Sequence, residues 1–156
     1  MTRISIEEYA LRLAEVAALR SEDPDRKVGA VALSDENRVI ATSYNGLPKG
    51  YVANEEFWKD RDYRRVFLIH AEQNLCSLFQ RGEATLVAVT HCPCSSCLML
   101  LIAHGVSQVI YREVYETDDF APKLAAHYGM RLERVFDENQ GTGGFGGRSG
   151  QITHPI

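Results

Sequence analysis

Residues 91–97 read HCPCSSC and pack three of the chain's four cysteines and a histidine into seven positions. Pro93 suits the head of a helix, and Cys94 and Cys97, three apart, share a face of its first turn. Two thiolates so placed can grip one metal ion, and the positive end of the helix dipole favours their deprotonated form. By itself the motif fits three chemistries about equally: a redox pair, half of a structural zinc knuckle, and part of a catalytic metal site.

The rest of the chain weighs these alternatives. A structural zinc wants a second ligand pair, yet outside the cluster only Cys76 remains. A redox CxxC would sit near the first strand, whereas this one lies past the middle of the chain. Upstream, His70-Ala71-Glu72 falls where a strand-like segment meets a helix. His70 offers a third ligand, a fourth position stays open for water, and Glu72 is close enough to touch that water without ligating. Three protein ligands plus water mark a catalytic rather than a structural zinc. An H-x-E alone means little, but joined to P-C-x-x-C about two dozen residues later, across a strand, it is specific.

With these residues the chain resembles the zinc-dependent cytidine deaminase superfamily, over roughly residues 5 to 136 and in motif order as well as content. The resemblance implies zinc held by His70, Cys94 and Cys97, with Glu72 as proton shuttle. It also implies a three-layer α/β/α fold around a mixed five-stranded sheet. Cys92, cut off from Cys94 by Pro93, and His91 are expected to point away from the metal.

The elements that must position these groups follow from pattern. Ser5 and Glu8 form a capping box, and a broad apolar face predicts a helix over 5–20. Val28–Leu33 and Val39–Tyr44 read as a hairpin around Asp35-Glu36-Asn37. Residues 45–67 read as a functional loop followed by a short helix. Beyond them, helices over 71–81, 94–104 and 118–128 alternate with strands over 85–90, 107–111 and 130–136. Each helix is followed by a glycine: Gly82, Gly105 or Gly129. This alternation predicts an α/β sheet with parallel neighbours, the last two strands among them. Residues 1–137 are expected to form the catalytic domain, and 138–156 a glycine-rich tail.

At 156 residues with a net charge of −4, the chain suits one domain and carries no basic stripe for long nucleic acid. Its start lacks the apolar core of a secretory signal, and no apolar run approaches a membrane span. A cytoplasmic protein is expected, where clustered cysteines more often serve metal or redox chemistry than disulfides.

Within the superfamily, parallel last strands separate this chain from the free-cytidine deaminases. The DP…VGA and YNGxPxG elements of residues 21–50 resemble the deoxycytidylate deaminase family. That resemblance implies hydrolysis of dCMP to dUMP and ammonia, feeding thymidylate synthesis. It implies activation by dCTP, inhibition by dTTP, and a homohexamer. Asn45 would bind the nucleoside, although Asn-Gly is also a plain turn signal. Arg26 and Lys27 are candidates for the 5′-phosphate, in a segment that departs from the superfamily's Thr/Ser-x-Val-Gly-Ala form. Tyr115 is a stacking candidate, and the Ala71 N–H a donor for the pyrimidine carbonyl. The effector, with Mg2+ on its triphosphate, would meet Gly46, Lys49 and Gly50. Residues 46–69 hold no His or Cys, so a second, structural zinc known in some relatives is not expected.

Other residues take bland roles. His104 and His127 suit helix ends, Cys76 a buried apolar position, and Phe57, Trp58, Tyr63 and Phe67 packing. Two rival functions remain: a deaminase acting on a base in RNA or single-stranded DNA, and a zinc-stabilised binding module without catalysis. Glu72 argues against the latter.

Overall fold

The computed structural model describes residues 2–115 and 118–137. The expected tail, 138–156, lies outside the described residues. Eleven elements follow one another: α1 (Ile6–Ala18), β1 (Gly29–Leu33), β2 (Val39–Tyr44), α2 (Glu55–Lys59), α3 (Arg61–Phe67), α4 (Ala71–Cys76), β3 (Leu86–His91), α5 (Ser95–Ala103), β4 (Gln108–Glu113), α6 (Phe120–Tyr128) and β5 (Arg131–Arg134).

The strands form one sheet in the order β2-β1-β3-β4-β5. β1 runs antiparallel to both β2 and β3, while β3, β4 and β5 run parallel. The hairpin and the parallel last strands are as the pattern predicts. Asn37 closes the hairpin at φ 60°, a conformation asparagine tolerates better than most residues.

Alternate residues of β1, β3 and β4 feed two cores. Val31, Leu33, Ala88 and Ile110 pack against Ala10, Leu11 and Ala14 of α1. Ala30, Ala32, Val87, Val89 and Val109 face the other way, onto α4, α5 and α6. The result is three layers, with α1, among the described helices, on one face by itself. Its approach is close at Gly29, where a Cβ would fall 1.9 Å from the Ala14 carbonyl oxygen, so only glycine fits.

Some boundaries differ from expectation. The helix foreseen to Arg81 ends at Cys76, because the Ser77 hydroxyl and N–H both donate to the Asn74 carbonyl and the chain tightens into a turn. The single helix foreseen before residue 67 is two. Asp60 ends α2 and restarts α3 by accepting the Tyr63 N–H at 2.9 Å. Gly105 and Gly129 do take the left-handed conformation just past α5 and α6.

Candidate metal centre and its cleft

Two helix starts meet at the ends of central strands. Residues 46 and 69 bridge through paired backbone bonds, the Ile69 N–H donating to the Gly46 carbonyl at 2.8 Å. That bridge delivers His70 to the N-cap of α4, where the Gln73 carboxamide accepts its N–H at 2.8 Å. The Ser43 hydroxyl holds the next carbonyl, of Ala71, at 2.6 Å. Cys94 caps α5 and Cys97 lies in its first turn. The Asp118 carboxylate accepts the Ser95 N–H at 2.6 Å and the Phe120 N–H at 3.0 Å, tying the start of α5 to that of α6.

His70 Nδ1 lies 3.3 Å from Cys97 Sγ and 3.8 Å from Cys94 Sγ, and all three donor atoms fall within 4.8 Å of one another. A tetrahedral zinc with ordinary Zn–S and Zn–N bonds asks for N···S separations of about 3.5 Å. The donor set and its spacing therefore fit that ion. Among the described residues, these three are the group of His, Cys, Asp and Glu side chains close enough to share a metal.

The electrostatics set the sulfurs apart. Bonds from Cys97 and His70 hold the Cys94 thiol down at about 4. Cys97 is pushed up by Cys94 and by burial, since two adjacent sulfurs share one proton. Cys92 is pushed up to about 12 and Cys76 to about 11, both by burial, which leaves them as inert thiols. Glu72 is 4% exposed, and burial raises its carboxyl above the usual range. His70 is raised chiefly by its bond to Cys94.

His70, Glu72 and Cys94 line a cleft of about 1250 Å³ that also takes in Asn45, Arg26, Ala71 and Tyr115, with Cys97 buried behind them. The Asn45 amide is engaged with the opposing segment: its Oδ1 accepts the Val28 N–H at 2.9 Å and its Nδ2 donates to the Arg26 carbonyl at 2.8 Å. The Arg26 guanidinium stacks on the Tyr115 ring at 3.6 Å. Lys27 is not on the lining, and its ammonium donates instead to the Ser21 carbonyl. Gly46, Lys49 and Gly50 also lie off the lining, although Gly50 turns at φ 92° and the Glu22 carboxylate accepts the Leu47 N–H at 2.9 Å.

His91 and Cys92 line the cleft without joining the metal donors. His91 Nδ1 meets Thr90 Oγ1 at 2.9 Å and its ring sits 5.3 Å from that of Tyr115. Sequence reasoning missed Asp118 as the acceptor of the Ser95 N–H at the start of α5 and Arg64 as a buried cation of the cleft wall. An aspartate before α6 was visible, but not that it also reaches the start of α5. Phe57 packs against Trp58, Tyr63 and Phe67, as expected.

A layered sheet that gathers a histidine and two cysteines beside a buried carboxyl at the wall of a cleft has the composition of a metal-dependent hydrolase. The family model described as "Cytidine and deoxycytidylate deaminase zinc-binding region" matches residues 4–113. A Caenorhabditis elegans protein named "Probable deoxycytidylate deaminase" is 35% identical over 135 residues, 80% of this chain and 67% of that protein. The Saccharomyces cerevisiae deoxycytidylate deaminase is 32% identical over 147 residues, 86% of this chain but only 46% of its own length. A dCMP deaminase from cyanophage S-TIM5, solved with dCMP and dUMP, shares the fold at a TM-score of 0.69 and 24% identity, covering 86% of this chain and all of that one. The chain belongs to the cytidine and deoxycytidylate deaminase family.

Proposed function

We propose that the chain hydrolyses dCMP to dUMP and ammonia. The observation that carries this reading is the buried Glu72 carboxyl beside the His70, Cys94 and Cys97 donor set. The relatives named deoxycytidylate deaminase and the YNGxPxG string support the choice of nucleotide.

Zinc held by His70, Cys94 and Cys97 would supply a Lewis acid that makes water nucleophilic at neutral pH. Glu72, its carboxyl already raised, takes a proton from that water and passes it to the ring nitrogen beside the amino-bearing carbon. The remaining hydroxide adds to that carbon, Glu72 moves the proton of the new hydroxyl to the amine, and the C–N bond breaks, so that ammonia leaves and the ring keeps a carbonyl. Ala71 borders the same cleft, and its N–H would hold the pyrimidine carbonyl. Asn45 binds the nucleoside, Tyr115 stacks near the base, and Arg26 meets the 5′-phosphate. Lys27 has the weaker claim on the phosphate, since its ammonium is turned to Ser21.

The same reading extends to dUMP supply for thymidylate synthesis in the cytoplasm. It extends also to a homohexamer regulated by dCTP and dTTP, whose triphosphate and Mg2+ would lie against Gly46, Lys49 and Gly50. The family resemblance of residues 46–50 is its support.

Ammonia release from dCMP, dCTP, cytidine and a tRNA tests the substrate, and repeating the dCMP assay with added dTTP or dCTP tests regulation. Preferred turnover of tRNA or free cytidine would overturn the dCMP assignment.

A further inference from the structure

Arg64 lies in the cleft wall with its side chain 4% exposed, and its bonds lead toward residues 23–28 rather than into the apolar core. Nη1 donates to the Trp58 carbonyl and Nη2 to Asp25 Oδ2, with Asp23 Oδ1 at 3.7 Å. The same Asp23 oxygen accepts the Asp25 N–H at 2.9 Å and the Arg26 N–H at 3.1 Å. The Arg26 carbonyl in turn receives Asn45 Nδ2 at 2.8 Å. One chain of bonds thus runs from α3 to the backbone that carries Arg26.

Both ends of this chain need an anchor. α2 and α3 pack chiefly on each other rather than on the sheet. Residues 23–28 belong to no helix and only join the sheet at Gly29. A segment that must be ordered when ligand binds lowers affinity, and one ordered in advance does not. A planar guanidinium facing two carboxylates is well suited to fix such a segment, because its donors are rigid relative to each other.

We propose that Arg64 is a positioning residue for the nucleotide: by holding Asp23 and Asp25 it fixes residues 23–28, so that Arg26 and Asn45 stand at set positions in the cleft. This rests on the dCMP reading. A purely structural role would lower the melting temperature and the yield of active protein while leaving the KM of the folded fraction where it was. The clamp instead acts on KM and spares the metal and Glu72.

The test is steady-state kinetics on zinc-loaded full-length Arg64→Met, Arg64→Lys and Asp25→Asn, with metal content measured alongside. Arg64→Met is expected to raise KM for dCMP about tenfold, with kcat within about threefold and zinc retained. Arg64→Lys, which keeps a charge but not the fork, should fall between it and wild type. Asp25→Asn alters a side chain that is 63% exposed and should raise KM by about threefold. Should Arg64→Met fail to fold, the other two variants decide. Unmoved KM values in both, or equal falls in kcat and zinc, overturn the clamp while wild-type turnover of dCMP stands. Wild-type protein that neither binds dCMP by calorimetry nor deaminates it overturns the nucleotide reading, and the clamp with it.

Discussion

Two buried glutamates sit on opposite faces of the same sheet, and they are treated in opposite ways. Glu8 of α1 is fully buried, and its Oε1 receives Arg12 Nε and Arg112 Nη2, each at 2.8 Å. Arg112 extends the network to Glu15 Oε1 at 2.9 Å and the Val135 carbonyl at 3.2 Å. Glu72 of α4 is almost as buried, but what faces it is the set of metal donors, and desolvation raises its carboxyl. Burial alone does not make a carboxylate reactive. The Glu8 carboxylate receives two guanidinium groups and ties elements together, whereas Glu72 is raised by desolvation beside the metal donors and is suited to gain and lose a proton.

The sharpest break of this contrast is Glu72→Gln. It keeps shape and polarity but cannot carry the proton, so kcat should fall by about 10² to 10⁴-fold or more with zinc content unchanged. Near wild-type turnover would remove Glu72 from the mechanism. Next come the sulfurs of the same face. Cys94→Ser removes the thiolate already held low, and bound zinc measured by atomic absorption should drop well below one per chain. Cys92→Ser, at a thiol pushed up to about 12, should keep nearly full zinc. Equal loss in both would assign Cys92 to the metal.

On the opposite face the expected effect is on stability. Arg112→Met strands the Glu8 carboxylate without its buried partner and should cost ~3–5 kcal/mol in denaturant unfolding. The kcat/KM of the folded protein should stay as in wild type, because α1 and the metal donors are on different sides of the sheet. Adding Glu8→Leu to Arg112→Met removes the stranded charge, so the double variant should be more stable than the single one. A double variant less stable than Arg112→Met would mean that the pair is not what burial of Glu8 requires.

This contrast was only half legible in the sequence. The donor set could be read because the spacing of HAE and PCSSC is local, and each local motif starts a helix that aims its side chains. The alternation of helices and strands likewise pointed to parallel neighbours, the last two strands among them, but not to the order of the strands in the sheet. Glu8 was read as the far half of a capping box; Ser5 does cap the Glu8 N–H at 3.1 Å, but the carboxylate turns inward to Arg112. No local pattern couples positions 8 and 112. Lys27 and Arg64 show the same limit, since both are basic residues in polar stretches. Only the folded chain reveals that one turns to a backbone carbonyl and the other is buried between aspartates.

The smallest effect concerns His91, a third ionisable side chain that is half-buried in the cleft. Its burial, and then the nearby Arg26, lower its pKa below the ordinary 6.5, with Glu113 pulling weakly the other way. The folded protein therefore binds fewer protons here than the unfolded chain as pH falls past about 6.5. The contribution of a neutral His91 is fully present above that pH and is lost as pH falls toward the folded-state value. Urea unfolding of the zinc-loaded protein between pH 7.5 and 5.5 should show wild type losing more stability than His91→Gln, whose amide occupies the same place without titrating. The difference should be well under that of Arg112→Met, because His91 is partly open to water. Parallel pH slopes in the two proteins would mean that His91 titrates alike folded and unfolded. The ring would then face the cleft as a solvated side chain, outside the contrast that Glu8 and Glu72 define.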